Sequence, residues 1–128
     1  MKGQRLFVRP ATAADRPRLA AFFAAEERPL TADELASDAL IGFLVGDLAA
    51  RIAFTFDPAE FHVTDVWVAR KLRRKRVARV MFAELAELAG RLGSGRIACR
   101  KHPLLDEPLR RLGFADEGEA WTLPVERS

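Results

Sequence analysis

The chain has 128 residues, of which 49% are hydrophobic and 30% are Asp, Glu, Lys or Arg, and this balance is typical of a globular domain with an apolar core. No apolar segment approaches the ~20 residues that a membrane-spanning helix needs, which excludes that class. The single cysteine, Cys99, excludes an intramolecular disulfide and favours a reducing compartment. We therefore predict one domain over residues 1–128, located in the cytoplasm and not embedded in a membrane.

The positive charge of the chain is concentrated in one segment. The formal net charge is only +3, but seven of the ten residues from Arg70 to Arg79 are basic. Such a cluster favours an anionic partner, either a phosphorylated cofactor, a nucleic acid or a membrane surface. A solvated basic surface without a partner explains the composition of this segment equally well.

The first part of the chain predicts a strand and two helices. Leu6 to Val8 form a short apolar run that is typical of a strand. Pro17 is compatible only with the first turn of the helix that follows. Thr31 and Glu34 have the spacing of a capping box, which predicts the start of the second helix.

Three strands are predicted next, over Leu40–Val45, Leu48–Phe56 and Phe61–Val68. Apolar residues alternate along the middle strand and leave Arg51 and Thr55 on the other face. This period of two predicts a strand buried on one face only. The connections are very short, so the three strands should form an antiparallel meander.

The second half of the chain predicts a crossover. Apolar residues recur at helical spacing from Val77 to Ala89, and Arg96 to Arg100 form another strand. A strand, helix and strand in this order form a β-α-β unit, which implies a parallel pair with Phe61–Val68. The remaining predicted elements are a short helix, Pro103–Leu112, and two closing strands, Phe114–Glu117 and Ala120–Val125.

The junction between the strand that ends at Val68 and the helix that begins at Val77 is a candidate anion site. Free backbone N–H groups and a partial positive charge lie at a helix N-terminus. Basic side chains from Arg73 to Arg79 would add charge-assisted hydrogen bonds to phosphate oxygens.

Three segments resemble the GCN5-related N-acetyltransferase (GNAT) superfamily, in the order that this family has them. Val8-Arg9-Pro10-Ala11-Thr12 with Asp15 is similar to its first strand and helix cap. Val66 to Ala78 is similar to its acetyl-CoA segment, which carries the motif Arg/Gln-x-x-Gly-x-Gly/Ala. Leu109-Arg110-Arg111-Leu112-Gly113-Phe114 is similar to its late helix, which usually ends in Leu-Gly-Phe.

The resemblance, which covers nearly the whole chain, implies an α/β fold with a mixed sheet, an antiparallel meander followed by a β-α-β crossover, and helices on both faces. It implies acetyl-CoA as cosubstrate, a small-molecule or protein amine as acceptor, and a homodimer as one of the assemblies open to the chain. The strand Ile97–Cys99 would splay from Phe61–Val68 and open the acyl slot. The first two helices and the Asp57–Glu60 turn would select the acceptor. Cofactor contacts are implied for Val66, Val68, Arg73, Arg74, Lys75, Arg76, Val77, Ala78 and Arg79.

Three residues depart from the family pattern, and one of these departures, Ala69 in place of the usual proline, is minor. Arg76 stands where the motif has its first glycine, which normally lets the diphosphate approach the backbone. The chain contains no tyrosine, and Leu109 occupies the place of the tyrosine that many members use as general acid. Arg76 could bind phosphate or block the site, and Leu109 cannot donate a proton.

Candidates for proton transfer are His62 and Asp65, on the strand before the basic segment. Histidine is a common proton carrier in catalysis, and the alternative interpretation of His62 is an exposed strand residue without a catalytic role. Asp65 is alternatively the structural partner of an arginine. Cys99 is expected to be inert core, and His102 lacks the companion spacing of a metal ligand, so no metal site is predicted.

Three functions remain open on the sequence alone. The first is an acyl-CoA-dependent N-acyltransferase, and the second is a degenerate module of the same fold that binds or regulates without turnover. The third is a nucleic-acid-binding domain that uses the Arg70–Arg79 segment. This segment contains no aromatic residue on which bases could stack, which argues against single-strand binding. Nucleic acid is the least favoured of the three.

Overall fold

The architecture is a seven-stranded sheet with helices on both faces. The computed structural model describes residues 5–73 and 76–126. The strands are β1 (Leu6–Pro10), β2 (Ala39–Leu44), β3 (Asp47–Phe56), β4 (Glu60–Val68), β5 (Arg96–Arg100), β6 (Ala115–Asp116) and β7 (Ala120–Pro124). The helices are α1 (Arg16–Ala25), α2 (Ala32–Ala36), α3 (Val77–Arg91) and α4 (Pro103–Arg111), with 3₁₀ turns at Ala13–Asp15 and Arg70–Leu72.

The strand order in the sheet is β1-β2-β3-β4-β5-β7-β6. Strands β2, β3 and β4 pair antiparallel, which confirms the predicted meander. Strands β4 and β5 pair parallel, with α3 between them in the chain, which confirms the predicted crossover. The mixed α/β fold class is confirmed with them.

Helix α3 forms most of the core on one face of the sheet. Its fully buried residues, among them Met81, Phe82 and Leu85, recur every three or four positions and pack against β3, β4 and β5. Each such side chain stabilises the fold by roughly 1.5–3 kcal/mol relative to exposure. Gly93, with φ +81°, follows the end of this helix and adopts the left-handed conformation that glycine tolerates.

A smaller core lies on the opposite face, under α1. Leu19 and Phe23 of this helix pack against Ile41, Phe43 and Leu48 of the sheet. The predicted capping box begins α2: Thr31 Oγ1 accepts the Glu34 N–H at 3.1 Å, and Glu34 Oε1 accepts the Thr31 N–H at 3.0 Å. In the part of the chain that the structure describes, no helix has the length and apolar character to cross a membrane.

The prediction that β3 is buried on one face only is wrong. Seven consecutive residues, Leu48 to Phe54, are buried, and Arg51 among them is only 2% exposed. Both faces are covered, by α3 on one side and by the α1 layer on the other. A register shift opposite Gly42 and Phe43 also places Leu48 in the α1 core instead of beside Ile52.

Candidate functional site

A cleft opens where β5 diverges from β4. The parallel ladder runs from Glu60↔Arg96 to Val63↔Cys99 and ends there, while β4 continues to Val68. The register with β3 shifts at the same place, so that Thr64 has no partner in that ladder. The two strands therefore separate as expected, and the resulting cleft has a volume of about 1120 Å³.

One wall of the cleft is the free edge of β4. The Ala69 N–H donates to the Ala49 carbonyl on β3 at 2.8 Å. Because peptide groups alternate along a strand, those of Val66 and Val68 face the other way, toward the cleft. The Val68 carbonyl already accepts the Arg73 Nε–H at 3.1 Å.

The N-terminus of α3 closes one end of the cleft. The first helical bond there is donated by the Val80 N–H to the Arg76 carbonyl at 3.3 Å. The amides of Val77, Ala78 and Arg79 precede it and donate to no acceptor among the residues described. These free donors and the local helix dipole favour an anion.

Arg76 has a left-handed backbone conformation, which is the conformation that glycine, the family's residue at this position, adopts without strain. Its φ is +63° and its ψ is 14°, in the left-handed region. Its side chain is exposed at the cleft mouth, beside Arg73 and Arg79, and does not close the cleft. Arg74 and Lys75, for which cofactor contacts were also predicted, lie outside the described residues.

An ion cluster forms the wall of the cleft on the α1 side of the sheet. Asp65 accepts N–H groups from Arg28 at 2.8 and 2.8 Å and from Arg51 at 3.2 Å. Arg51 is buried, and desolvation lowers its pKa, while the carboxylate of Asp65 acts in the opposite sense. Asp65 is thus the partner of two arginines, as one of the two sequence interpretations expected.

Trp67 lies beside this cluster and contacts three guanidinium groups. The carbon centres of Arg28, Arg70 and Arg73 lie 5.0, 5.4 and 4.5 Å from its ring. Its indole N–H donates to Glu26 Oε1 at 3.0 Å, and the same oxygen accepts the Arg70 amide at 2.8 Å. The ring is therefore held in place at the cleft by contacts from the residues that follow α1 and from the basic segment.

The opposite wall comes from the end of β5 and the start of α4. His102 is the cap of α4, and its Nδ1 accepts the Leu104 N–H at 3.2 Å. The neutral imidazole in this contact is assigned its proton on Nε2. Cys99 also lines the cleft, but burial raises the pKa of its thiol to about 11, which favours the inert interpretation.

Sequence reasoning missed two cleft residues, Arg28 and His102. His102 had a detectable signal, because the carboxyl ends of neighbouring parallel strands meet at one place in a sheet. Arg28 follows α1 in an ordinary loop and has no signal in the sequence.

Two residues singled out from the sequence lie elsewhere. His62 is 52% exposed, has its Nε2 3.0 Å from Glu60 Oε2, and is not part of the cleft lining. Leu109, at the place of the family's tyrosine, is fully buried in the α3 core.

Comparison with known proteins decides the family. The acetyltransferase (GNAT) family matches residues 5–114, which is most of the chain. This chain belongs to the GNAT acetyltransferase family. No curated protein matches the sequence of this GNAT chain.

Solved structures show the same fold at low sequence identity. The ribosomal-protein-S18-alanine N-acetyltransferase from Escherichia coli has a TM-score of 0.79 and 14% identity, over 97% of this chain and 96% of that chain. A phosphinothricin acetyltransferase from Sinorhizobium meliloti, in complex with AcCoA, has a TM-score of 0.77 and 15% identity, over 94% and 89%. N-acetylglutamate synthase from Neisseria gonorrhoeae, complexed with coenzyme A and L-arginine, has a TM-score of 0.74 and 15% identity, over 95% of this GNAT chain and 34% of that chain.

Proposed function

We propose that this protein is an acyl-CoA-dependent N-acyltransferase that transfers an acetyl group from acetyl-CoA to an amine. The observation that carries the proposal is the meeting of two sets of free peptide groups in one cleft, those on the edge of β4 and those at the N-terminus of α3. Membership of the GNAT acetyltransferase family supports it. So do structural neighbours that hold AcCoA or coenzyme A.

The residues present fit acetyl-CoA. Peptide groups of Val66 and Val68 would bind the pantetheine arm, once Arg73 leaves the Val68 carbonyl. The amides of Val77 to Arg79 would hold the diphosphate at the helix N-terminus. Arg73, Arg76 and Arg79 line the same end and add positive charge for the phosphates, and Arg74 and Lys75 belong to the same proposed set.

Bound acetyl-CoA would supply an electrophilic thioester carbonyl, and the chain must then receive a proton from the attacking amine. The oxygens of Asp65 already accept N–H groups from two arginines, and Glu107 in the cleft wall pairs with Arg111 at 2.6 Å. His102 lines the cleft and forms no ion pair with a described residue, and histidine is a common proton carrier in catalysis. His102 is therefore better placed than His62 or Asp65 to exchange this proton.

Calorimetry with acetyl-CoA tests the cofactor site. We expect saturable binding to the wild-type protein and a Kd at least about tenfold weaker for Ala78→Glu, because the new carboxylate would face the diphosphate. A glutamate in the first turn favours the helix itself, and thermal unfolding of the variant checks that this partly buried position tolerates the larger side chain. Val80→Glu is the matched control, since Val80 is 39% exposed on the same helix and lies outside the cleft lining. Equal weakening by both variants, or no binding at high micromolar acetyl-CoA, would contradict the proposed site.

A module that binds acetyl-CoA without turnover is the second candidate. The fully buried Leu109 favours it, because the place of the family's general acid faces the core here. Binding of acetyl-CoA without thiol release over a broad amine panel would select this function over the enzyme.

A further inference from the structure

The wall of the cleft on the α1 side carries more positive than negative charge. The acceptor-side cluster consists of Arg28, Arg51 and Asp65, and one carboxylate there is shared by two guanidinium groups. Arg51 is 2% exposed and lies behind Asp65, and its second terminal nitrogen donates to the Glu34 carbonyl. The three side chains together carry a net charge of about +1, and the nearby Glu34 carboxylate offsets part of it.

Arg28 is the member of this cluster that a ligand can reach. Its side chain is 32% exposed and lines the cleft. Asp65 binds it end-on through Nη1 and Nη2, which leaves Nε–H and the outer N–H groups as donors. The rings of Phe23 and Trp67 lie 5.7 and 5.0 Å from its carbon centre and hold the plane in place.

The rest of the described cleft adds to this excess of positive charge. Its carboxylates are Asp65 and Glu107, and each is already paired with arginine. Arg73, stacked on Trp67 at 4.5 Å, adds a further positive charge between the cluster and the cofactor end. A second cationic group on the acceptor would meet repulsion here, whereas an oxyanion would find oriented N–H donors.

From this geometry we infer that the acceptor is a small amine that also carries a carboxylate or phosphate group, and that Arg28 binds this group beside Trp67. The inference rests on the proposed acyltransferase function and names its substrate class. Asp65 and Arg51 are positioning residues in this arrangement: Asp65 orients Arg28, and Arg51 compensates the charge of Asp65.

Turnover with matched amines tests the substrate class. Release of coenzyme A would be followed for amino acids and their α-amides, for phosphoethanolamine and ethanolamine, and for spermidine. We expect kcat/KM to be at least about tenfold higher for the oxyanion-bearing member of each accepted pair. Turnover confined to amides, ethanolamine or spermidine would overturn the inference.

Variants of Arg28 separate binding from a merely structural role. Arg28→Gln should raise KM for the anionic amine at least about tenfold, with little change in kcat or in KM for acetyl-CoA. Arg28→Lys should restore part of the affinity, because it keeps the charge but loses the planar donors. Arg91→Gln, at the exposed end of α3 outside the cleft, is the matched control and should change none of these values. Equal KM values for wild type and Arg28→Gln would count against the inference.

An anion titration keeps the inference testable if no amine in the panel reacts. With coenzyme A at saturation, inorganic phosphate should shift the indole N–H resonance of Trp67 in the wild type but not in Arg28→Gln. Trp121 is the internal control, since it is 3% exposed and donates to Asp106 at 2.9 Å. A Trp67 shift without any turnover would support the anion site while contradicting the proposed enzyme. No shift up to about 100 mM phosphate, far above the millimolar Kd of a weak site, would overturn the inference.

Discussion

Arg76 is the residue at which the sequence and the fold make opposite demands. The strand–loop–helix turn places it at φ +63°, a conformation that costs a residue with a side chain about 1 kcal/mol and costs glycine almost nothing. The family motif has glycine here, and the structure shows why. The turn keeps its shape with arginine because the side chain lies exposed at the mouth of the cleft.

Replacing Arg76 with glycine should therefore stabilise the protein, whereas a change to glycine usually destabilises one. We expect Arg76→Gly to raise the free energy of unfolding by up to about 1 kcal/mol, because glycine removes the left-handed strain. Arg76→Val should lower it by about 1 kcal/mol or more, since a β-branched residue tolerates this conformation poorly. Urea denaturation measures both changes.

The control for Arg76 is a glycine substitution in the interior of α3. Ala83→Gly, at an exposed position in the middle of this helix, should destabilise the protein by about 1 kcal/mol, which is the cost of glycine in a helix interior. If Arg76→Gly lowers stability as much as Ala83→Gly does, the left-handed strain is not present in solution.

Among single residues, those in motifs were predictable and those in loops were not. The role of Val66 and Val68 as a free edge followed from the resemblance, and the ladder geometry agrees with it. Arg28 was missed because nothing in the sequence shows that the loop after α1 reaches β4, 37 residues further along the chain. That contact depends on tertiary packing alone.

At the scale of elements, the junction between β1 and the first helical turn depends on one ion pair. The Asp15 carboxylate accepts N–H groups from both terminal nitrogens of Arg9 at 2.8 Å and the backbone N–H of Thr12 at 2.7 Å. The Arg9 guanidinium, followed by the Thr12 amide, holds the pKa of the Asp15 carboxyl well below its usual range. The pair thus joins strand to helix through a carboxylate that must stay ionised.

This junction makes stability depend on pH in a defined direction. A carboxyl whose pKa is depressed in the folded state stabilises it above the unfolded pKa, about 3.9, and loses this contribution as the pH falls toward the folded value. We expect Asp15→Asn to lower the free energy of unfolding by about 1–2 kcal/mol at pH 7. The difference from wild type should shrink as the pH falls from about 5 to about 2.

Urea denaturation over this pH range measures the effect, with Asp47→Asn as control. Asp47 is exposed at the start of β3 and forms no side-chain hydrogen bond to a described residue. A constant difference between Asp15→Asn and wild type at all pH values would show that the pair does not control the junction.

The elements themselves were mostly predictable, because each has a local cause. Period-two and helical spacing give β3 and α3, and short connections give the meander. The burial of β3 on both faces was not predictable from its own alternation. Arg51 appears solvent-exposed in that pattern, but Asp65 from the neighbouring strand neutralises it under the α1 layer.

At the scale of the whole molecule, the proposed function depends on how the crossover distributes charge around the cleft. Connecting β4 to β5 through α3 places the helix N-terminus, the side chains of Arg73, Arg76 and Arg79, and the cap of α4 at one end of the sheet. The net charge of +3 is small, so the positive field is local to this end and not spread over the surface. Such a field suits a compact polyanion that enters the cleft better than an extended duplex that lies across the protein.

Salt should separate these two ligands. Interactions between exposed charges weaken as the Debye length falls from about 10 Å at 0.1 M to about 3 Å at 1 M salt. We therefore expect the Kd for acetyl-CoA to rise several-fold between 50 and 500 mM KCl, with saturable binding retained, because peptide groups of β4 and α3 contribute contacts that salt screens little. Dephospho-coenzyme A, which lacks the 3′-phosphate, should show a smaller rise than coenzyme A.

A DNA duplex should behave differently, because its binding depends almost wholly on phosphate contacts. Three to four such contacts would give a fall in affinity of roughly 10³ over the same tenfold salt range, and of about 20- to 50-fold between 50 and 150 mM. Calorimetry for the nucleotides and fluorescence anisotropy for a labelled duplex measure the two responses side by side. One result would favour nucleic-acid binding by the Arg70–Arg79 segment. This is a duplex Kd in the nanomolar range at 150 mM KCl, together with loss of acetyl-CoA binding at the same salt.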